Sequence, residues 1–253
     1  RLKNTPIFII AIAFLRQKNT IVIITSDHGD MQMEHQQFYK HVAYDASSRV
    51  PLIVKIPLNF QPNSHKNNDD ESFLEVKPFV TQPTSHIDLF PTIMDLAGIP
   101  QSLRPKELHG ESLLPFLVPA KSWTLPLSST NQNATAGRDT PKSITVPRKR
   151  PFAVNQFHGA DIAMSWFSII DENHFKYTVF GTGDRHVSQL FDLKKDPDET
   201  TNLATNSSYE LTIRRLDSLL LSVVNYKQVA LDVAEYTHSS LGAWINCTSN
   251  WKS

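Results

Sequence analysis

An α/β domain followed by a small antiparallel sheet-and-helix domain is predicted by three observations. The run Ile21-Val22-Ile23-Ile24 is wholly β-branched and reads as a strand buried on both faces, as a parallel sheet demands. Residues 119–151 are dominated by Ser, Thr, Asn, Pro and basic residues, with few large apolar ones, a composition of linkers and insertions. Beyond them, 152–157, 166–170, 176–180 and 189–193 are short strand-like runs separated by turn residues, the pattern of a small antiparallel sheet. The expected division is 1–118 as part of the larger domain, 119–150 as linker or insertion, and 151–253 as the smaller domain.

Taken in order, 6–15 is apolar and flanked by Arg1, Lys3, Arg16 and Lys18. It falls short of the roughly 20 residues of a membrane span. Arg16-Gln17-Lys18 stands where small residues would form a leader cleavage site, so a buried helix or strand is the expectation. After the first strand comes the polar hexapeptide Thr25-Ser26-Asp27-His28-Gly29-Asp30, and 36–48 reads as loop with helical turns. Residues 50–56 form a second apolar strand, with Pro51 near its start, where a strand tolerates it. The Asn- and Asp-rich stretch 61–72 is an exposed loop, and its Asp69-Asp70 pair is read as solvated. Residues 85–97 form a packing helix: Ser85 or Asp88 caps it, Pro91 falls early, and Gly98 and Pro100 end it. Leu89, Ile93, Leu96 and Ala97 are its expected inner face. The basic cluster Arg148-Lys149-Arg150 is expected to be solvated linker, and 211–224 a helix covering one face of the small sheet.

The 25 basic and 25 acidic side chains balance and are scattered, so nothing points to a nucleic-acid partner. A lone cysteine, Cys247, excludes an internal disulfide framework. Sequons at Asn133, Asn206 and Asn246 would permit N-glycosylation.

The chemistry concentrates after the first strand. Open α/β sheets bind ligands at the carboxyl ends of their strands. There Asp27 offers a hard oxygen and His28 an imidazole nitrogen, both able to ligate a divalent cation. The chain continues with Met33-Glu34-His35-Gln36-Gln37-Phe38-Tyr39-Lys40, then Tyr44-Asp45-Ala46-Ser47-Ser48-Arg49-Val50-Pro51-Leu52. Farther on stand Ile87-Asp88-Leu89-Phe90-Pro91-Thr92, Phe157-His158-Gly159 and Gln189-Leu190-Phe191-Asp192-Leu193, then Asp196-Pro197-Asp198-Glu199 and Asn202. In this order the chain resembles the sulfatase family from about residue 19 to 225, matching the C-terminal part of such a protein.

That resemblance implies an alkaline-phosphatase-like α/β domain beside a small C-terminal domain. It implies sulfate-ester hydrolysis, with the 2-O-sulfate of glucuronate in glycosaminoglycans as the substrate, in a lysosome or on the secretory route. Asp27 and His28 would be half of a calcium site, though imidazole suits manganese or zinc as well. Lys40 would contact the sulfate oxygens, and His158 is a weaker candidate for substrate contact. His35 is expected to be structural, and 196–199 with Asn202 to be turn and capping residues. No Cys-x-Pro-Ser-Arg, source of the family's formylglycine nucleophile, occurs in the sequence, nor does a strand-following Asp-Asp pair. The chain is therefore expected to contribute no catalytic nucleophile and to be inactive alone. Two other readings stand beside this one: a metal-dependent phosphodiester or phosphonate hydrolase of the same superfamily, and a non-catalytic remnant of the fold.

Overall fold

A computed structural model describes residues 20–56, 82–117, 150–159, 164–184 and 186–249. In chain order the elements are β1 (Val22–Thr25), β2 (Met31–Gln32), β3 (Phe38–Tyr39), α1 (Asp45–Ser48), β4 (Leu52–Lys55), α2 (Leu89–Leu96) and α3 (Leu114–Leu117). Then come β5 (Phe152–Phe157), β6 (Trp166–Asp171), β7 (Phe175–Phe180), β8 (Gln189–Asp192), α4 (Glu210–Val223) and α5 (Tyr226–Ser249). They divide into two units. One comprises Arg1–Thr25, Pro51–Thr81 and His86–Lys149; the other comprises Ser26–Val50, Gln82–Ser85 and Arg150–Ser253. The apolar run 6–15, the polar loop 61–72 with Asp69-Asp70, and 119–149 of the expected linker lie outside the described residues. Arg150 does not behave as solvated linker: it is buried, with its guanidinium 5.7 Å from the Phe152 ring.

In the first unit β1 pairs with β4 in antiparallel register, Val22 opposite Lys55 and Thr25 opposite Leu52. The sequence predicted a strand in parallel pairing with both faces buried, and the structure corrects this. Val22, Ile23 and Ile24 are half-buried. A β-branched run specifies an extended apolar strand, whereas the direction of its neighbour is set by how the intervening chain returns.

Helix α2 succeeds a short turn of tighter helix at His86–Asp88, and its inner face differs from the expected one. Asp88, Pro91, Thr92, Asp95 and Leu96 are buried, while Phe90 and Ile93 are about half exposed. The polar side chains turn inward because each has a partner there, which removes the cost of burying them. Asp88 Oδ1 accepts from the Glu111 amide at 2.9 Å, so Asp88 makes no side-chain cap. Thr92 Oγ1 donates to the Asp88 carbonyl and accepts from the Leu113 amide at 2.8 Å. Asp95 pairs with Arg104 at 2.5 Å. Ser85, the other expected cap, donates to the Val154 carbonyl at 3.5 Å. The C-terminal end matches expectation. Gly98 takes φ of 70°, the Gly98 amide donates to Asp95 O at 3.1 Å, and the Ile99 amide donates to Met94 O at 2.9 Å, a Schellman closure. Ile56, Leu96 and Leu114 form the small core of this unit.

The second unit is built on an antiparallel meander in the order β5-β6-β7-β8. The register places Phe167, Ile169, Tyr177, Val179 and Leu190 on one face, where Leu216 and Leu220 of α4 and Tyr226 and Ala230 of α5 cover them. Trp166, Ser168, Lys176, Thr178 and Phe191 alternate onto the other face and are also buried. The segment between β3 and α1 lies on that side. Trp166 Nε1 donates to the His41 carbonyl at 2.8 Å, His41 stacks on Phe157 at 4.6 Å, and Gln189 Nε2 donates to Tyr44 Oη at 3.0 Å. The sheet is thus packed on both faces, and the chain beyond β1 is one of its covers. The 196–199 turn and Asn202 act as expected: Asp196 accepts from Thr200 and Thr201 amides, and Asn202 Oδ1 accepts from Leu190 and Ala204 amides.

Candidate functional site

The loop after β1 brings Asp27 and His28 to Lys40. Asp27 Oδ1 accepts from its neighbour's amide, His28 N–H, at 3.0 Å, and from Ser26 Oγ at 3.3 Å. The amide bond holds the Asp27 carboxyl below the usual carboxylate range, although the side chain is largely in solvent. His28 Nδ1 lies 2.9 Å from the Gly29 carbonyl oxygen. A carbonyl can only accept, so a proton sits on Nδ1, and a lysine ammonium can only donate, so the Lys40 contact requires the lone pair at Nε2. That bare nitrogen lies 2.7 Å from Lys40 Nζ and 3.3 Å from Asp27 Oδ2. The Lys40 ammonium can donate to that lone pair, while the Asp27 carboxylate stands beside it as a second acceptor.

Gly29 makes this geometry possible. Its amide donates to Ser47 O at 2.8 Å, and a Cβ there would lie 2.1 Å from Ala46 O. Only glycine lets the loop lie this close to α1. Lys40 is presented by the β2–β3 hairpin, which holds φ positive at Met33, His35, Gln36, Tyr39 and His41. His35 is structural, as expected, through a stack on Tyr44 at 3.8 Å.

The donors fit a divalent cation as two of its ligands. The tautomer puts the lone pair on Nε2, with the Nδ1–H held by a carbonyl as in metal-binding histidines, and here that lone pair is engaged by Lys40. A calcium ion takes about six to eight oxygens. Among the described residues no group of three or more His, Cys, Asp and Glu side chains is arranged to hold a metal.

His158 directly follows β5, with its ring edge-on to Phe167 at 5.3 Å. Burial pulls its imidazolium pKa down and favours the neutral ring. Among the described residues it shares no contact with Asp27, His28 or Lys40. Asn206 is exposed and caps a short turn, accepting from the Ser208 amide at 3.0 Å, while Asn246 lies in α5 and Asn133 is outside the described residues.

One group of functional interest was not read from the sequence. Lys176 Nζ lies 2.8 Å from Asp45 Oδ1 and 2.7 Å from Glu199 Oε1, with both Lys176 and Glu199 buried. A lysine in a strand between aromatic residues, alternating onto a covered face, is the signal that points to it.

Residues 12–99 match the family model described as Sulfatase. Arylsulfatase K of Xenopus laevis is 32% identical over 225 residues, covering 89% of this chain and 35% of that protein. The chain thus spans about a third of the length of the curated relatives it matches. Among solved structures, one described as a 2-O GAG sulfatase superposes with a TM-score of 0.57 at 26% identity, covering 83% of this chain and 37% of that one. The phosphonate monoester hydrolase of Agrobacterium radiobacter superposes with a TM-score of 0.53 at 24% identity, covering 86% of this chain and 37% of that one. The fold is that of the alkaline-phosphatase-like sulfatases, with mixed α/β structure and antiparallel sheets.

Proposed function

We propose that this chain, which matches the sulfatase family model over residues 12–99 and is similar to the C-terminal portion of arylsulfatase K, is a sulfatase and supplies half of the active site of a sulfuric ester hydrolase. The observation that carries the proposal is the approach of both Asp27 and Lys40 to His28 Nε2, each within 3.3 Å, on the loop and hairpin after β1.

Asp27 and His28 would ligate a divalent cation, which we take to be calcium, and such an ion when bound neutralises charge on sulfate oxygens. Lys40 is suited to the same anion in a different way. Its ammonium is a compact point charge that pairs with a tetrahedral oxyanion and stabilises negative charge built up as the S–O bond breaks. With Lys40 directed at the sulfate, His28 Nε2 would be able to hold the cation together with Asp27. The His28 tautomer is maintained throughout by the Gly29 carbonyl. His158, held neutral, would donate or accept a hydrogen bond at the saccharide. The nucleophile does not come from this chain, whose lone Cys247 precedes Thr248-Ser249-Asn250.

The substrate class we assign is a sulfated saccharide, with the 2-O-sulfate of glucuronate in glycosaminoglycans as the specific group, by likeness to arylsulfatase K and to the 2-O GAG sulfatase. A lysosomal or secreted location, with glycans on Asn133, Asn206 and Asn246, goes with that reading. No helix among the described residues is long and apolar enough to cross a membrane.

A phosphodiester or phosphonate hydrolase is the second reading, favoured by the imidazole donor, since nitrogen suits manganese or zinc better than calcium. The test is hydrolysis by the product of the complete native transcript, on a 2-O-sulfated glucuronide and on a phosphonate monoester. Sulfate release that falls about a hundredfold in Lys40→Ala supports the proposal. Turnover of the phosphonate alone replaces it with the second reading, and turnover of neither leaves a non-catalytic relative.

A further inference from the structure

Among the described residues the triad of part-buried Asp45 and buried Lys176 and Glu199 makes no hydrogen bond or ion pair to Asp27, His28 or Lys40, yet an unbroken series of bonds joins it to them. Lys176 is 5% exposed and Glu199 4%. Groups of this kind are costly to bury unless paired, and here Lys176 pairs with both carboxylates and Glu199 Oε2 takes a hydrogen bond, while Glu199 Oε1 is held by charge alone. Lys176 Nζ bridges Asp45 Oδ1 at 2.8 Å and Glu199 Oε1 at 2.7 Å. Glu199 Oε2 accepts from the Asp45 amide at 2.6 Å. The triad therefore grips both the backbone and the side chain of the residue that opens α1. Glu199 does so with φ of 54°, a conformation that non-glycine residues keep only where their surroundings fix it.

From α1 the series runs through backbone. Ser47 O receives the Gly29 amide at 2.8 Å, and a Cβ on Gly29 would stand 2.1 Å from Ala46 O, so no side chain fits between the loop and α1. The Gly29 carbonyl receives His28 Nδ1–H at 2.9 Å. That bond sets the tautomer and turns Nε2 toward Lys40 Nζ at 2.7 Å and Asp27 Oδ2 at 3.3 Å. Arg215, whose ion pair with Asp171 joins α4 to β6 in the same unit, bonds to no member of this series, although Asp171 itself accepts from the Phe175 amide beside Lys176.

We propose that Lys176 and Glu199 are positioning residues for the Asp27–His28–Lys40 cluster, acting through Asp45, α1 and Gly29 to fix the His28 ring. This rests on reading that cluster as the site. A pair that only stabilised the fold would leave the ring indifferent to its removal, so long as the chain stayed folded.

The test is the ring-nitrogen NMR spectrum of His28 in the full chain, compared among wild type, Glu199→Ala, Glu199→Gln, Lys176→Gln and Arg215→Ala. Wild type should show the Nδ1–H tautomer. Glu199→Ala should shift His28 toward a mixture of tautomers, and Glu199→Gln, which keeps an acceptor for the Asp45 amide, should shift it less. Arg215→Ala should leave it unmoved. If Glu199→Ala does not fold, Lys176→Gln and Glu199→Gln decide, each expected to shift His28 in the same direction. An unmoved His28 in the folded variants, or an equal shift in Arg215→Ala, overturns the inference. Calcium chloride titrated into the product of the complete native transcript separates the two readings: a silent His28 there removes the metal assignment while the tautomer shifts still establish positioning.

Discussion

Replacing Lys176 by Met should destabilise the unit that contains the β5–β8 sheet far more than the loss of a surface lysine. The side chain is 5% exposed, and its ammonium is shared between Asp45 Oδ1 and Glu199 Oε1 at 2.8 and 2.7 Å. Methionine fills much the same volume, so the cost comes from the two carboxylates left facing each other. Breaking a buried pair by removing one partner costs about 3–5 kcal/mol. The Asp45 side chain is 21% exposed and keeps some hydration, which puts the expectation near the lower end, about 3 kcal/mol at neutral pH.

The cost should depend on pH in a defined direction. Burial already pushes the Glu199 carboxyl up from 4.5, against the pull of Lys176, and losing the ammonium pushes it farther. A carboxyl raised in the folded state is tolerated below its unfolded pKa and loses stability as pH rises through the folded value. Lys176→Met should therefore cost little near pH 4 and the full amount at neutral pH. Urea unfolding monitored by Trp166 fluorescence reads this. At an m-value of about 2 kcal/mol/M, the midpoint should fall by roughly 1.5 M at neutral pH. A loss of less than about 1 kcal/mol, the range of exposed pairs, or an equal loss at both pH values, would refute the reasoning.

Two further outcomes concern the same unit. Tyr177 and Tyr226 both donate to Asp217 Oδ1, at 3.2 and 2.9 Å. Burial and that carboxylate push the Tyr177 phenol up to about 12 and raise Tyr226 as well. Their contribution should be whole below the free phenol pKa of about 10 and be lost as pH climbs through the raised values, so urea midpoints should fall steeply in that window and less steeply in Tyr177→Phe. Gly29→Ala should displace the loop, because its methyl would stand 2.1 Å from Ala46 O; faster hydrogen exchange at the residue 29 amide, now donated to Ser47 O, is the expected readout.

The four strands of the small sheet and helix α4 were legible because alternation and helical spacing carry burial directly, as at Phe167, Ile169, Leu216 and Leu220. The pairing of β1 was not, since Ile21-Val22-Ile23-Ile24 fixes extension and leaves the direction of its partner open. The inner face of α2 was misread for a different reason. Hydropathy ranks Ile93 above Thr92 and Asp88, but hydrogen bonds from the Glu111 and Leu113 amides offset the cost of burying the polar pair. Helix α5 went unread from the sequence, as its apolar positions are sparse and many of them, including Leu231, Tyr236 and Leu241, stand exposed. In the candidate site, Asp27, His28 and Lys40 were legible from order and residue type. The Asp45–Lys176–Glu199 triad was not, because its members lie 131 and 154 positions apart along the chain and become partners only when the post-β1 segment lies on the sheet.

The central claim is that Asp27, His28 and Lys40 form half of a sulfatase site whose other half is encoded elsewhere. The 5′ sequence of the native transcript upstream of Arg1 tests it most directly. The account predicts a buried strand leading into Asp-Asp, and after it Cys-x-Pro-Ser-Arg. A start codon immediately upstream of Arg1, with neither motif encoded, would contradict it and leave a chain without a nucleophile.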